Sequence, residues 1–298
     1  MSYFTGKATG TNDLLDIIKD KSINQGYVLN RDRVEGSPLT RELILTTYNG
    51  TMIGFKIHNI STSYAGYDFE ENVNLQLNAG PTYDDLQTFS DQPNSFLSVN
   101  NENTGAFCRE NEITYHLSIT AGRILCAYSI ENYYYTFYLG KYWAYDTPVN
   151  LPNPVFISGN NNYETSRETL SESGSSNFIG GNGYETGTID NFQNWIMQQS
   201  NSSWTSSSLK LCMAPFLDGS SNADDIIFNK DGSILLYPVT LSNNEKNYLF
   251  GELDGVYMIT PYAGKEGDVI NDGENDYLII KAKTTGRYSD GLFAIKLK

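Results

Sequence analysis

The stretch from residue 113 to residue 145 constrains the fold most, because it contains three strand-like segments joined by very short connections. Each segment is rich in β-branched and aromatic residues: ITYHLSIT (113–120), RILCAYSI (123–130) and YYYTFYLGKYWAY (133–145). The connections are Ala121-Gly122 and Glu131-Asn132, whose Gly and Asn are typical of turns. The stretch therefore predicts an antiparallel meander of three strands.

The third of these segments is aromatic on both sides. Successive side chains of a strand point to opposite faces, so Tyr135 and Phe137 lie on one face and Tyr134 and Tyr138 on the other. A strand with two apolar faces is expected to be covered on both. One cover is the core of the domain. For the other cover, residues 151–210 and a neighbouring subunit are equally good hypotheses.

One segment near the N-terminus has the periodicity of a helix. Its apolar side chains are spaced to form one buried face: Leu14, Leu15, Ile17 and Ile18. Thr11 or Asn12 is suited to cap the start of this helix, and Gly26 is suited to end it. We expect the helix to pack on a sheet. The next segment, RELILTTYNGTMIGFKIHN (41–59), predicts a β-hairpin that turns at its Asn-Gly pair.

Composition divides the chain into three parts. Residues 1–150 carry the helix and the meander, residues 151–210 are rich in Ser, Asn and Gly, and residues 211–298 return to alternating patterns. We interpret the middle part as a long polar insertion or arm, in which FQNWIMQQ (192–199) forms a short helix or an anchoring turn. The C-terminal strands are expected to complete the main sheet. The predicted fold class is mainly β, with antiparallel, sandwich-like sheets and one N-terminal α-helix.

The net charge of −15 and the sequence pI near 4.5 argue against some classes of partner but do not identify a partner. Nucleic-acid binding needs clusters of Lys and Arg, and no run of four basic residues occurs. The acidity also disfavours binding to anionic membranes, and the apolar runs are too short for membrane insertion. The N-terminus lacks the pattern of a signal peptide. We therefore expect a soluble protein of a reducing cytoplasm, in which Cys108 and Cys126 are free thiols rather than a disulfide.

The motifs of common enzyme classes are absent from the sequence. His58 and His116 each occupy a strand position, where a structural role is more common than a catalytic one. There is no HExxH or GxSxG motif, and GGNGYETG (180–187) lacks the lysine, strand and helix of a nucleotide site. We predict that the protein is not an enzyme and binds no cofactor. A polysaccharide-degrading enzyme stays an alternative, because a catalytic pair of carboxylates could be hidden among the 35 acidic residues.

The acidic segment GDVINDGEND (267–276) superficially resembles a calcium-binding loop. Its carboxylates do not follow the EF-hand spacing, because Ile270 and Ile279 occupy ligand positions. A hairpin loop is therefore the favoured interpretation. The weak candidates for metal ligands are Asp268, Asp272 and Glu274.

Aromatic side chains are the best candidates for contacts with other proteins, because Tyr and Trp are enriched at interfaces. The candidates are Tyr134, Tyr138, Tyr142, Trp143, Trp195 and Trp204. Aromatic rings also stack on sugars, a role for which Tyr142, Trp143 and Tyr145 are suited if they are exposed. Binding of a host-surface glycan is therefore an alternative hypothesis for function.

Three parts of the chain form a recognisable arrangement. They are residues 12–29, with NDLLDIIKD and GYVL, the strands TYHLSIT and ILCAYSIENYYYTFYLGKYW, and the stretch from GELDGVY to GLFAIKL (251–297). This arrangement resembles virion proteins of tailed bacteriophages, of the tail, neck or baseplate type. The resemblance implies a structural subunit of the virion, without a cofactor, that assembles in the host cytoplasm with copies of itself and other virion proteins. It favours a tail or baseplate component, with a neck or capsid-decoration protein as the alternative.

Overall fold

The computed structural model describes residues 2–35, 40–64, 67–93, 95, 104–109, 112–130, 133–145, 154–159, 161–162, 194–198, 203–205, 209–212, 235–243, 248–259, 263–282 and 291–298. Within these residues one helix, α1 (Thr11–Asn24), accompanies twenty strands. The first ten strands are β1 (Ser2–Ala8), β2 (Val28–Glu35), β3 (Thr40–Thr46), β4 (Met52–Tyr64), β5 (Tyr67–Gly80), β6 (Thr104–Arg109), β7 (Ile113–Ile119), β8 (Arg123–Ile130), β9 (Tyr133–Lys141) and β10 (Trp143–Ala144). The other ten are β11 (Val155–Ser158), β12 (Asn161–Asn162), β13 (Asn194–Gln198), β14 (Ser203–Thr205), β15 (Leu209–Cys212), β16 (Tyr237–Asn243), β17 (Tyr248–Ile259), β18 (Val269–Asn271), β19 (Asp276–Ala282) and β20 (Gly291–Lys296).

The strands form three antiparallel sheets, which confirms the predicted mainly-β fold class. The central sheet has the order β1-β7-β8-β9-β11-β13-β14, and the helix-side sheet has the order β12-β6-β5-β4-β3-β2. The C-terminal sheet has the order β15-β16-β17-β20-β19-β18, and β10 also pairs with β17. The predicted meander is β7-β8-β9, and the predicted hairpin is β3-β4. Within the described residues, no helix has the length and apolar character needed to cross a membrane.

The central sheet is covered on both faces, as its aromatic strand predicts. On one face Tyr135 and Phe137 enter a core shared with the helix-side sheet and α1, where the Phe137 ring meets Phe55 edge-on at a centroid distance of 5.7 Å. On the other face Tyr138 enters a second core shared with the C-terminal sheet, and Tyr134 packs against that core. The second cover is therefore supplied by the C-terminal part of the same chain, rather than by either partner that the sequence suggested.

Helix α1 confirms the predicted helix and buries the predicted face. The side chains fully buried in the core are Leu14, Leu15 and Ile18. The start differs from the prediction, because Gly10 occupies the N-cap position without a side-chain hydrogen bond. The first turn is tied instead by Asp13, whose carboxylate accepts from the backbone N–H of Thr9 at 2.8 Å. Gly26 follows the last turn with a φ of 85°, a backbone conformation that favours glycine.

Two expectations about the later part of the chain need correction. The C-terminal strands do not complete the sheet of the meander, because β20 pairs with β17 and β19 in a sheet of its own. FQNWIMQQ contains strand β13 rather than a helix or turn, since it pairs with β11 in the register Phe156↔Ile196. Strand β11, which lies inside the predicted polar insertion, is entirely buried and pairs with β9. A part of residues 151–210 therefore belongs to the central sheet.

Candidate functional site

A short strand carries the chain from the central sheet to the C-terminal sheet and presents aromatic side chains at the surface. At the end of β9, the backbone of Gly140 lies so close to β8 that a Cβ there would be 2.3 Å from the carbonyl oxygen of Gly122. The chain then passes through buried Tyr142, and β10 pairs with β17 in the register Trp143↔Glu252. Backbone pairing on both sides of the crossing therefore fixes the position of β10.

The contact between β10 and β17 depends on a glycine. A Cβ on Gly251 would lie 2.0 Å from the carbonyl oxygen of Trp143, so a larger residue at this position would push the two strands apart. The pairing continues past β10, because the backbone N–H of Tyr145 donates to the carbonyl oxygen of Phe250 at 3.1 Å. Trp143 and Tyr145 are therefore anchored through the backbone.

Exposed Trp143 and Tyr145 and half-buried Glu252 form one surface, hereafter the β10 surface. Trp143 is 68% exposed and Tyr145 is 52% exposed, which is unusual for aromatic side chains of their size. Glu252 is the ladder partner of Trp143, and its carboxylate accepts a hydrogen bond from the Tyr145 hydroxyl. The surface thus combines two aromatic rings with one oriented carboxylate acceptor.

Two of the predicted interface aromatics are buried inside the chain. Tyr138 and Tyr142 lie in the core between the central and C-terminal sheets, and burial raises the pKa of both hydroxyls. Their assignment to an interface is corrected accordingly, because the C-terminal sheet already covers them. Tyr134 is partly buried against the same core. Among the candidates whose side chains the structure describes, Trp143 alone is exposed.

A buried ion pair joins the central and C-terminal sheets. The Arg123 side chain is almost completely buried, and its Nε lies 3.0 Å from Oδ2 of Asp254 on β17. Its Nη1 also donates to the carbonyl oxygen of Ser118 at 3.0 Å, and the guanidinium lies 5.8 Å from the ring centroid of Tyr138. Sequence reasoning missed this pair. The available signal is the arginine that opens the otherwise apolar strand RILCAYSI, but its carboxylate partner lies 131 residues further along the chain.

The acidic segment forms a hairpin loop between β18 and β19, which confirms the favoured interpretation. Burial raises the pKa of Asp272, but its carboxylate accepts from the backbone N–H groups of Asn275 and Glu274 and from the Tyr277 hydroxyl, which together lower the pKa to about 2. The carboxylate of Asp268 instead accepts from a backbone N–H three residues earlier. Within the described residues, no group of three or more His, Cys, Asp or Glu side chains could hold a metal ion. The structure therefore does not bring Asp268, Asp272 and Glu274 together as a ligand set.

A second exposed surface lies at the C-terminal end of α1. The backbone N–H of Gly26 donates to the carbonyl oxygen of Ile23 at 2.9 Å, and a Cβ on Gly26 would lie 3.7 Å from the Tyr48 ring. Tyr48 is 75% exposed, and Val28, which opens edge strand β2, is 61% exposed. Val28 pairs with Thr46, two residues before Tyr48, and we define the helix-end patch as Val28 and Tyr48. Exposed apolar side chains grouped beside a sheet edge are typical of a protein contact.

The remaining predicted residues are placed as follows. His116 has a structural environment, since its Nδ1 lies 2.7 Å from the Tyr3 hydroxyl and burial lowers its pKa. Cys126 is buried and forms no disulfide. For four predicted residues the structure describes the backbone but not the side chain: His58, Cys108, Trp195 and Trp204.

Comparison with family models and with curated proteins assigns this chain to no family. No protein-family model matches it, and no curated protein matches it at a significant level. These findings neither support nor contradict the resemblance of three sequence segments to phage virion proteins. Function is therefore inferred from the two exposed surfaces together with that resemblance.

Proposed function

We propose that the protein is a non-enzymatic structural subunit that assembles with copies of itself and with other proteins. The observation that carries the proposal is the helix-end patch, in which Val28 and Tyr48 are well exposed at edge strand β2. Burying an apolar side chain of this size contributes about 1.5–3 kcal/mol, so a contact that covers Val28 and Tyr48 gains substantial free energy. The first partner is a second copy of the chain, because identical subunits most often pair about a two-fold axis that brings the same patch together.

The oligomeric state tests the contact between copies. We expect the full chain to form a dimer or larger oligomer in sedimentation velocity at micromolar concentration. Val28→Asp should shift the population toward the monomer, because a carboxylate buried in the contact lacks a partner. Leu86→Asp is the matched control, since Leu86 is 92% exposed on a loop outside the patch. A wild-type chain that stays monomeric up to 100-fold higher concentration, or a Val28→Asp chain that associates like the wild type, would contradict the proposal.

The assembly that we propose is a tailed-phage particle, with the tail or baseplate as the position and the neck or capsid decoration as the alternative. The resemblance of residues 12–29 and 251–297 to phage virion proteins supports this part of the proposal. Such a subunit would be made in the host cytoplasm and would need no cofactor. Mass spectrometry of purified particles tests it, because peptides of this chain should be present in stoichiometric amounts. Particles of a producing strain that contain none of these peptides would contradict it.

A further inference from the structure

We propose that the β10 surface is a binding site for a neutral saccharide. The inference is independent of the contact between copies, because the helix-end patch and the β10 surface share no residue. The ring faces of Trp143 and Tyr145 supply stacking surfaces, and the Glu252 carboxylate supplies an acceptor for sugar hydroxyl groups. A pyranose ring has this combination of an apolar C–H face and a rim of hydroxyl donors.

The spacing of the two rings suits more than one sugar unit. Tyr145 directly follows β10 and its backbone N–H is still paired with Phe250, so an extended backbone separates Trp143 and Tyr145 by about 6.5–7 Å, and their rings can contact neighbouring parts of an oligosaccharide. The face of an aromatic ring carries negative charge density, which attracts the polarised C–H groups of a pyranose face. The exposed fractions of 68% and 52% leave both rings accessible to such a ligand.

Glu252 gives the surface its selectivity. Its carboxylate is oriented by the hydrogen bond from the Tyr145 hydroxyl and by its place in the ladder opposite Trp143. Hydrogen bonds to an ionised acceptor are roughly twice as strong as those between neutral groups, which favours a ligand rich in hydroxyl donors. The same carboxylate, on a chain with a net charge of −15, repels sulfated or sialylated saccharides. The ligand is therefore neutral.

The backbone of the β10 surface is also held in place before a ligand binds. Tyr142 is buried directly before Trp143, and the close contact at Gly251 holds β10 against β17. Little backbone freedom is lost on binding, which lowers its entropic cost. A protein partner fits this surface less well, because the cores of protein interfaces are depleted in Glu.

A glycan array tests the inference with the full-length protein. The array carries neutral glucans, galactans, mannans and N-acetylhexosamine oligomers beside sulfated and sialylated glycans, and the best neutral ligand is then titrated by calorimetry. We expect binding to at least one neutral class and to no acidic class. Trp143→Ala and Glu252→Gln should each weaken binding at least tenfold. Leu86→Ala is the matched control, since Leu86 is an exposed apolar residue outside both surfaces, and its affinity should stay within twofold of the wild type.

Three results would overturn the inference: no neutral glycan bound by the wild type, unchanged affinity in Trp143→Ala, or binding to acidic glycans alone. Circular dichroism verifies that each variant is folded, and Trp143→Phe, which keeps a smaller ring, should retain part of the affinity if Trp143→Ala does not fold.

Sedimentation on the same samples separates this inference from the proposed assembly. A Trp143→Ala chain that keeps both association and glycan affinity refutes the saccharide site alone, whereas a Val28→Asp monomer that still binds the glycan leaves the site intact.

Discussion

At the scale of single residues, Arg123 is a buried charged side chain that joins two of the sheets. It donates to Asp254 across the interface between the central and C-terminal sheets and to the backbone of Ser118 within its own sheet. A buried guanidinium is tolerated only where its donors find acceptors, because desolvation of an unpaired charge costs several kcal/mol. A Cβ on Gly255 would lie 2.8 Å from the guanidinium, so this glycine makes room for the arginine.

Replacing Arg123 with Met tests this role. Arg123→Met keeps a flexible, unbranched but shorter apolar side chain and leaves the Asp254 carboxylate without its charged partner, so we expect the free energy of unfolding to fall by about 3 kcal/mol. Lys7→Met is the matched control, because Lys7 and Glu112 form an ion pair whose side chains are both well exposed, and its loss should cost less than about 1 kcal/mol. Urea unfolding of both variants measures the difference. Equal losses would show that the buried pair has no special role in stability.

At the scale of elements, α1 is held to the helix-side sheet by charge as well as by its apolar face. Nη2 of Arg41 on β3 lies 2.7 Å from Oδ1 of Asp16 on the helix, and Nε of Arg41 lies 2.8 Å from Oδ1 of Asp32 on β2. Lys19 bridges the same two carboxylates at 2.8 Å. Hydrogen bonds from Arg41 and then from Lys19 lower the pKa of Asp16 to about 2, and the Arg41 hydrogen bond likewise lowers the pKa of Asp32.

These depressed pKa values predict how the docking of α1 responds to acid. A carboxylate whose pKa is lower in the folded state stabilises the fold fully above its unfolded pKa of 3.8, and this contribution is lost as the pH falls through about 2. Asp16→Asn should therefore be less stable than the wild type at pH 6, by less than about 1 kcal/mol because Asp16 is half exposed. The difference should shrink between pH 4 and pH 2 in urea unfolding. Asp20→Asn, an exposed change on the same helix, controls for the loss of one negative charge, and a pH-independent difference for Asp16→Asn would contradict the assignment.

The elements that the sequence predicts are those with local signals. The 3.6-residue spacing of Leu14 and Ile18 predicts α1, and alternation predicts β7, β8 and β9. Strand β1 escapes prediction because SYFTGKA mixes polar and apolar residues, and its pairing with β7 brings together residues 110 apart, such as Thr5 and Tyr115. Only a part of the β10 surface can be predicted from the sequence, because its residues come from distant parts of the chain. Trp143 is a recognisable aromatic candidate, whereas Glu252 reaches Tyr145 from 107 residues further along the chain.

At the scale of the whole molecule, the three sheets are stacked with the central sheet between the other two. Most of the aromatic residues of the meander are buried in the two cores on the faces of this sheet or pack against them. The outer sheets bury further side chains on their far faces, where Phe89 covers Ile44 and Met52 on one side and Ile279 packs with Ala294 on the other. Because the layers already cover these apolar faces, the helix-end patch and the β10 surface are the candidates for contacts with other molecules.

The net charge of the molecule makes the association between copies dependent on salt. Each chain carries a charge of −15, so two copies repel one another at low ionic strength. The screening length falls from about 30 Å at 0.01 M salt to about 8 Å at 0.15 M, whereas an apolar contact at the helix-end patch is little affected by this change. We therefore expect sedimentation velocity to show stronger association at 150 mM than at 10 mM NaCl. Val28→Asp should stay monomeric at both concentrations, and an association that salt weakens would point to an interface of paired charges instead of the apolar helix-end patch.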